Sequence, residues 1–82
     1  MFHVYVLYSP QYDKIYIGQS SDVGVRFIYH NQGPTKGWTS RFRPWVLVHL
    51  EIFEKKSQVL KREKELKTAS GRRWIRTVIL RQ

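Results

Sequence analysis

Two runs rich in β-branched and aromatic residues, Phe2 to Tyr8 (FHVYVLY) and Lys14 to Gln19 (KIYIGQ), flank the segment SPQYD. Pro10 and Asp13 in that segment favour a chain reversal, so the pair predicts an antiparallel hairpin. Pairing Tyr8 with Asp13 would place Tyr5 opposite Tyr16 on one face, making the two phenols neighbours. The chain has 82 residues, and one this short buries only roughly 60–65% of its unfolded surface. A single domain over residues 1–82, built on one core, is therefore expected. Hydrophobic residues at 41% and aromatics at 15% are enough to fill it.

Beyond the hairpin, Ser21 or Asp22 offers an N-cap for VGVRFIYHN, and Asn31 with Gly33 offers the stop, which predicts a helix of about two and a half turns. Gly24 weakens it. The following QGPTKGWTSRFRP is too long for a mere connector and is a candidate contact surface. Pro44 opens a third strand, Trp45 to Phe53, apolar enough on both faces to be central or helix-covered. Ser57 is the expected cap of a charged helix reaching about Ala69, and Trp74, Ile75, Val78 and Ile79 continue at helical spacing. The order is ββαβαα, an α+β fold.

The formal charge is +9, from fifteen Lys and Arg against six Asp and Glu, and ten of the fifteen cations fall within residues 55–82. Counterion release draws such a surface to polyanions, so nucleic acid is the first expected partner and an anionic membrane the second. There is no cysteine, which excludes disulfides and thiolate metal sites. No apolar run approaches the roughly 20 residues of a membrane span, no signal-peptide layout opens the chain, and a cytoplasmic location is expected.

One carboxylate falls on the wrong side of its helix. At about 100° per residue, Glu63 lies about 40° from Val59, between it and Leu60 and well inside the apolar stripe that Leu66 completes. Glu65 lies on the opposite side, with Lys61 and Arg62. An inward carboxylate needs a cation, a metal or an edge that reaches water. Three readings stay open: an ion pair with a basic residue such as Arg26, a solvated stripe edge, or a divalent-metal ligand. Arg26 and His30, four residues apart, share one face of the first helix. Arg26 could equally pair with Asp22, and His30 could simply favour the helix C-terminus.

The ordered segments VYV (Val4, Tyr5, Val6) and YIG (Tyr16, Ile17, Gly18) resemble the two half-motifs of the GIY-YIG nuclease superfamily. The resemblance continues through Arg26, His30 and Asn31, through Thr39, Arg43, Pro44, Trp45, Leu47 and Val48, and through Arg62, Glu63, Lys64, Leu66 and Lys67. It is nearest to the small stand-alone bacterial, URI-type members. It implies a three-stranded antiparallel sheet flanked by helices and a metal-dependent endonuclease that hydrolyses or nicks DNA, with repair or recombination intermediates among its substrates. By the same resemblance Tyr5 or Tyr16 activates water, Arg26 and His30 contact the scissile phosphate, and Glu63 holds a single Mg²⁺ or Mn²⁺. These types suit the chemistry: a forked, permanent cation and a hard metal both stabilise charge growing on phosphate. Mg²⁺ keeps several waters, so one carboxylate plus the phosphate suffices. Of the two tyrosines, Tyr5 is the expected base, assisted by neighbouring cations because a phenol is a weak base at neutral pH. His3 stands where the first half-motif usually has glycine, Asn31 is the sole asparagine, and specificity must come from the domain itself or from a protein partner.

The alternative is a non-catalytic nucleic-acid module retaining the same fold. There Lys36, Arg41 and Arg43 grip phosphates while Trp38 and Phe42 stack on unpaired bases. A docking role for the GRRWIRTVIL stripe is the third reading, against the simpler one that it closes the core.

Overall fold

The computed structural model describes residues 1–82 and contains strands β1 (Phe2–Ser9), β2 (Lys14–Ser20) and β3 (Val46–Phe53). Helix α1 (Val23–Gln32) follows the hairpin. A short 3₁₀ turn, Thr39–Phe42, precedes β3, and α2 (Lys56–Leu66) and α3 (Ala69–Trp74) follow it, with a π turn at Ile75–Ile79. The expected order ββαβαα and the antiparallel three-stranded sheet are both present.

The strand order is β2-β1-β3, so β1 is central and β3 is an edge. The third strand is therefore not central, although α2 covers it on one face, where Val48 and Phe53 pack against the core. Val46, Leu47, Leu50 and Ile52 are exposed on it, because α1 packs on β2 and leaves the β3 side of that face open. The hairpin register also differs. Tyr5 pairs with Gly18 and Leu7 with Tyr16, and β1 and β2 end at the pair Ser9 and Lys14. Asp13 sits in the turn at φ 52 and is not available as a ladder residue. The two-residue offset preserves side-chain parity, so Tyr5 and Tyr16 still share a face as diagonal neighbours.

The two faces of β1 carry different cores. Val4 and Val6 pack with Ile15, Ile17, Val59, Leu66 and Ile75 beneath α2 and the C-terminal helices, while Tyr5 and Leu7 pack with Trp45 on the α1 side. Asp22 caps α1 by accepting from the Val25 N–H at 3.1 Å, and Gly33 ends the helix. Helix α2 starts a residue before the expected Ser57 cap: Lys55 is the N-cap, its N–H donating to Gln58 Oε1 at 3.1 Å. The long charged helix breaks at Lys67, where Thr68 caps a new one by accepting from the Gly71 N–H. A Cβ on Gly71 would stand 2.3 Å from the Glu65 carbonyl oxygen, so glycine permits this close turn. Ile75 is fully buried with Trp74 and Ile79 packed alongside, so the GRRWIRTVIL stripe closes the core and only Val78 of its apolar set is exposed.

No helix is long and apolar enough to cross a membrane.

Candidate active site

Glycine at position 18 makes the site possible. Directly across the ladder from Tyr5, it leaves a gap that the phenol fills: a Cβ there would lie 2.6 Å from Tyr5 Oη and 2.7 Å from Cζ. The Tyr5 ring thus lies down along the sheet, is 1% exposed, and points its hydroxyl at helix α1. There Tyr5 Oη and His30 Nε2 are 3.0 Å apart, and His30 Nδ1 lies 3.2 Å from Thr39 Oγ1. The Tyr16 ring covers the pair, 4.5 Å from the imidazole and 6.2 Å from Tyr5 between centroids.

Arg26, one turn before His30, lays its guanidinium over the Tyr29 ring at 4.6 Å. It does not pair with Asp22, whose carboxylate is engaged as the helix cap. Burial, reinforced by Tyr16, pushes the Tyr5 phenol up to about 12, and the adjacent Arg26 pulls the other way. Burial likewise holds His30 below the usual imidazole range, with the cations Arg26 and Arg43 adding to the effect. At neutral pH the site therefore contains a protonated phenol hydrogen-bonded to a neutral imidazole.

Four of the five expected residues, Tyr5, Tyr16, Arg26 and His30, are brought together. Glu63, the fifth, is not brought to the others. Helix α2 packs on the opposite face of the sheet from Tyr5, and Glu63 sits on its flank, its side chain 21% exposed, with Lys67 Nζ 3.4 Å away. The acid is thus in an ion pair, as one of the three readings expected, but with Lys67 rather than Arg26 and at a partly exposed position. Lys67 in turn lines a cleft along the free edge of β2 together with Tyr16, but neither Glu63 nor Tyr5 lines it. No three His, Cys, Asp or Glu side chains cluster as a ready metal cage. A single, partly exposed carboxylate already facing Lys67 does not make a preassembled ion site, and could serve only a water-rich Mg²⁺ completed by a substrate phosphate.

The GIY-YIG catalytic domain model matches residues 1–76. The chain belongs to the GIY-YIG family. Among curated relatives, the UPF0213 protein SSP2268 of Staphylococcus saprophyticus is 39% identical over 65 residues, covering 79% of each chain. The UPF0213 protein SA0446 of Staphylococcus aureus shows the same identity and coverage. No solved structure matches significantly.

Within this GIY-YIG domain the contact loop divides into two groups. Lys36 and Arg41 are exposed, and Trp38 is 46% exposed while its ring packs 4.8 Å from Phe42 and 5.8 Å from Trp45. Arg43 behaves differently from expectation. Its Nε donates to the His30 carbonyl at 2.7 Å, and Nη2 donates to the carbonyls of Gly33 at 2.9 Å and Pro34 at 3.2 Å. The guanidinium caps the last carbonyls of α1, where orphan acceptors and the helix dipole favour a cation, and is not free to grip phosphate. Asn31 is structural too: its amide bonds both the N–H and the C=O of Trp45. Thr39 and Gly18 carried no separate role in the sequence reading, although both stand in the motif segments that marked the family.

Proposed function

We propose that this GIY-YIG domain is a metal-dependent endonuclease that hydrolyses or nicks a DNA phosphodiester, with a proton relay through Tyr5 and His30 at its centre. The observation that carries the reading is the 3.0 Å contact between Tyr5 Oη and His30 Nε2, buried and backed by Thr39. A phenol near 12 is ionised in only about one molecule in 10⁵ at neutral pH, so a resting tyrosinate is a poor base. A neutral imidazole is a competent one.

In the relay the phenol donates its hydrogen to His30 Nε2, and the nearby Arg26 guanidinium, which can only donate, lowers the phenol's pKa without competing for its proton. Nδ1 then carries the imidazole proton and donates it to Thr39 Oγ1. In the reaction, Tyr5 Oη takes a proton from the attacking water as its own passes to Nε2, so negative charge need not accumulate on the buried phenol. This assigns His30, 2% exposed, to proton acceptance rather than to phosphate contact. Tyr16 covers the relay and meets the substrate from the cleft side, and Arg26 offers forked donors to the phosphoryl oxygens. Glu63 would hold the Mg²⁺ or Mn²⁺, which when bound supplies Lewis-acid stabilisation of the phosphate and leaving oxygen. Lys36 and Arg41 would add exposed positive charge along the backbone of the substrate.

The test is a cleavage panel of single-stranded, duplex, nicked and branched DNA with Mn²⁺ or Mg²⁺. Wild-type protein should nick at least one substrate, and Glu63→Gln and Arg26→Ala should each abolish this while melting as the parent does. Cleavage that persists in excess chelator, or survives both changes, would overturn the assignment.

A further inference from the structure

Strand β2 has no neighbour on its outer side, and a cleft of about 590 Å³ runs along that free edge. Its floor is the edge strand itself, including Tyr16 of the candidate site. Trp38 lines it on one side and Lys67, just past the end of α2, and Arg72 of α3 line it elsewhere, with Lys14 at the head of the strand. Arg76 also lines it but is engaged, donating to Asp13 Oδ1 at 2.7 Å and to the Asp13 carbonyl at 3.0 Å. Lys14 and Arg72 make no ion pair; Lys14 rests its ammonium 5.4 Å from the Phe42 ring, and only the Nε of Arg72 is engaged, on the Lys67 carbonyl. The cleft therefore offers unpaired cations and a half-exposed indole, with the Tyr16 phenol also lining it.

We propose that this edge cleft binds an unpaired, single-stranded nucleic-acid segment continuous with the scissile phosphate, with Lys14 and Arg72 on its phosphates and a base stacked on Trp38. The chemistry favours a single strand over a duplex. A paired base keeps its faces stacked within the helix, whereas an indole held in place by Phe42 and Trp45 is a rigid platform for a base with a free face. The proposal rests on the nuclease reading only in placing Tyr16 at the cleaved phosphate; the binding itself requires neither metal nor turnover.

The experiment measures binding in excess chelator, so that cleavage does not enter. Labelled twelve-residue oligothymidylate, oligouridylate and a duplex of equal length are titrated by anisotropy across a salt series. Either single strand should quench indole emission, since Trp38 is the most exposed of the three tryptophans. Trp38→Ala should weaken single-strand binding roughly 5- to 150-fold, the range for losing one stacked base, and leave duplex binding unchanged. Trp38→Phe should retain most of the affinity. Lys14→Gln and Arg72→Gln, both at exposed positions, should each flatten the dependence of log affinity on log salt by about 0.7.

Equal losses on duplex and single strand after Trp38→Ala would overturn the proposal, as would unchanged salt slopes in both charge variants. If Trp38→Ala fails to fold, wild-type quenching and the two slopes decide. Cleavage with metal but no single-strand preference would defeat the cleft alone. Single-strand binding without cleavage under any metal would defeat the nuclease reading alone.

Discussion

The two faces of β1 are built from alternate residues of one strand and have opposite characters. On the α2 side, Val4 and Val6 meet Ile15, Ile17, Val59, Leu66 and Ile75, a wholly aliphatic set. On the α1 side, Tyr5 and Leu7 meet Trp45, Tyr16 and Phe27, and a buried histidine is hydrogen-bonded into the layer. Aliphatic side chains fill space without polar obligations, so the first face stabilises the fold and holds little chemistry. Every polar atom of the second face needs a partner, and the bonds that satisfy Tyr5, His30 and Thr39 are the same ones on which the proposed proton relay runs. Period-two alternation thus gives one strand a structural side and a chemical side.

The contrast breaks if lesions on the two faces have the same consequence. Tyr5→Phe removes one oxygen from the α1 side and should lower the cleavage rate about 10²- to 10⁴-fold, the usual worth of a positioned proton-transfer group. Leu66→Ala on the α2 side should cost about 2–5 kcal/mol of stability, the range for truncating a buried leucine. Its cleavage rate should match the parent at temperatures where it remains folded. Denaturant melts and single-turnover rates on the two proteins decide the matter. A Tyr5→Phe enzyme near full activity, or a Leu66→Ala enzyme that is stable but inert, would show that the division is not real.

The pH profile sharpens the same comparison by asking which group on the chemical face accepts the proton. His30 must be neutral to do so, and burial with Arg26 and Arg43 lowers its pKa below 6.5. The rate should be flat through neutrality and fall about tenfold per pH unit only on the acid side of 6.5. If Tyr5 worked as a free phenolate, the rate would instead climb with pH toward about 12. Stability has a matching sign. The unfolded imidazole takes up a proton near 6.5 while the folded one resists it, so the folded state loses ground as pH falls below 6.5.

Much of this was legible in the sequence because it depends on local pattern. The hairpin, the Asp22 cap, the Gly33 stop and the element order follow from propensity and turn chemistry. The phenols were correctly placed on one face even from a register two residues out, since only parity was needed. The errors concern tertiary context. The third strand reads as buried because its composition does not reveal that α1 covers only the β2 side. Arg43 reads as a phosphate grip because nothing local says that α1 ends beside it. Glu63 was seen to be misplaced for a buried helix stripe, but its Lys67 partner and its position around the edge of the sheet required the packing of α2. Thr39 needed coordinates most, since nine residues separate it from the imidazole it touches.

That contact gives the smallest expected effect and the closest test of the chemical face. Thr39 Oγ1 accepts from His30 Nδ1 in the relay, while the Thr39 carbonyl accepts from Trp45 Nε1 at 2.9 Å, which fixes the threonine to the core. Thr39→Val keeps the shape and the carbonyl but removes the acceptor, so the imidazole loses its reason to carry the proton on Nδ1. A net hydrogen bond of about 1–1.5 kcal/mol predicts a rate loss of roughly 5- to 12-fold, and Thr39→Ser should restore it. A threonine that merely packs would give the same rate for valine and a lower one for serine. The ¹⁵N shifts of His30 provide a readout free of turnover. They should report the Nδ1–H tautomer in the parent and in Thr39→Ser, and a shift toward Nε2–H in Thr39→Val. An unchanged tautomer in the valine protein would remove Thr39 from the relay as a positioning residue and leave the Tyr5–His30 contact to stand alone.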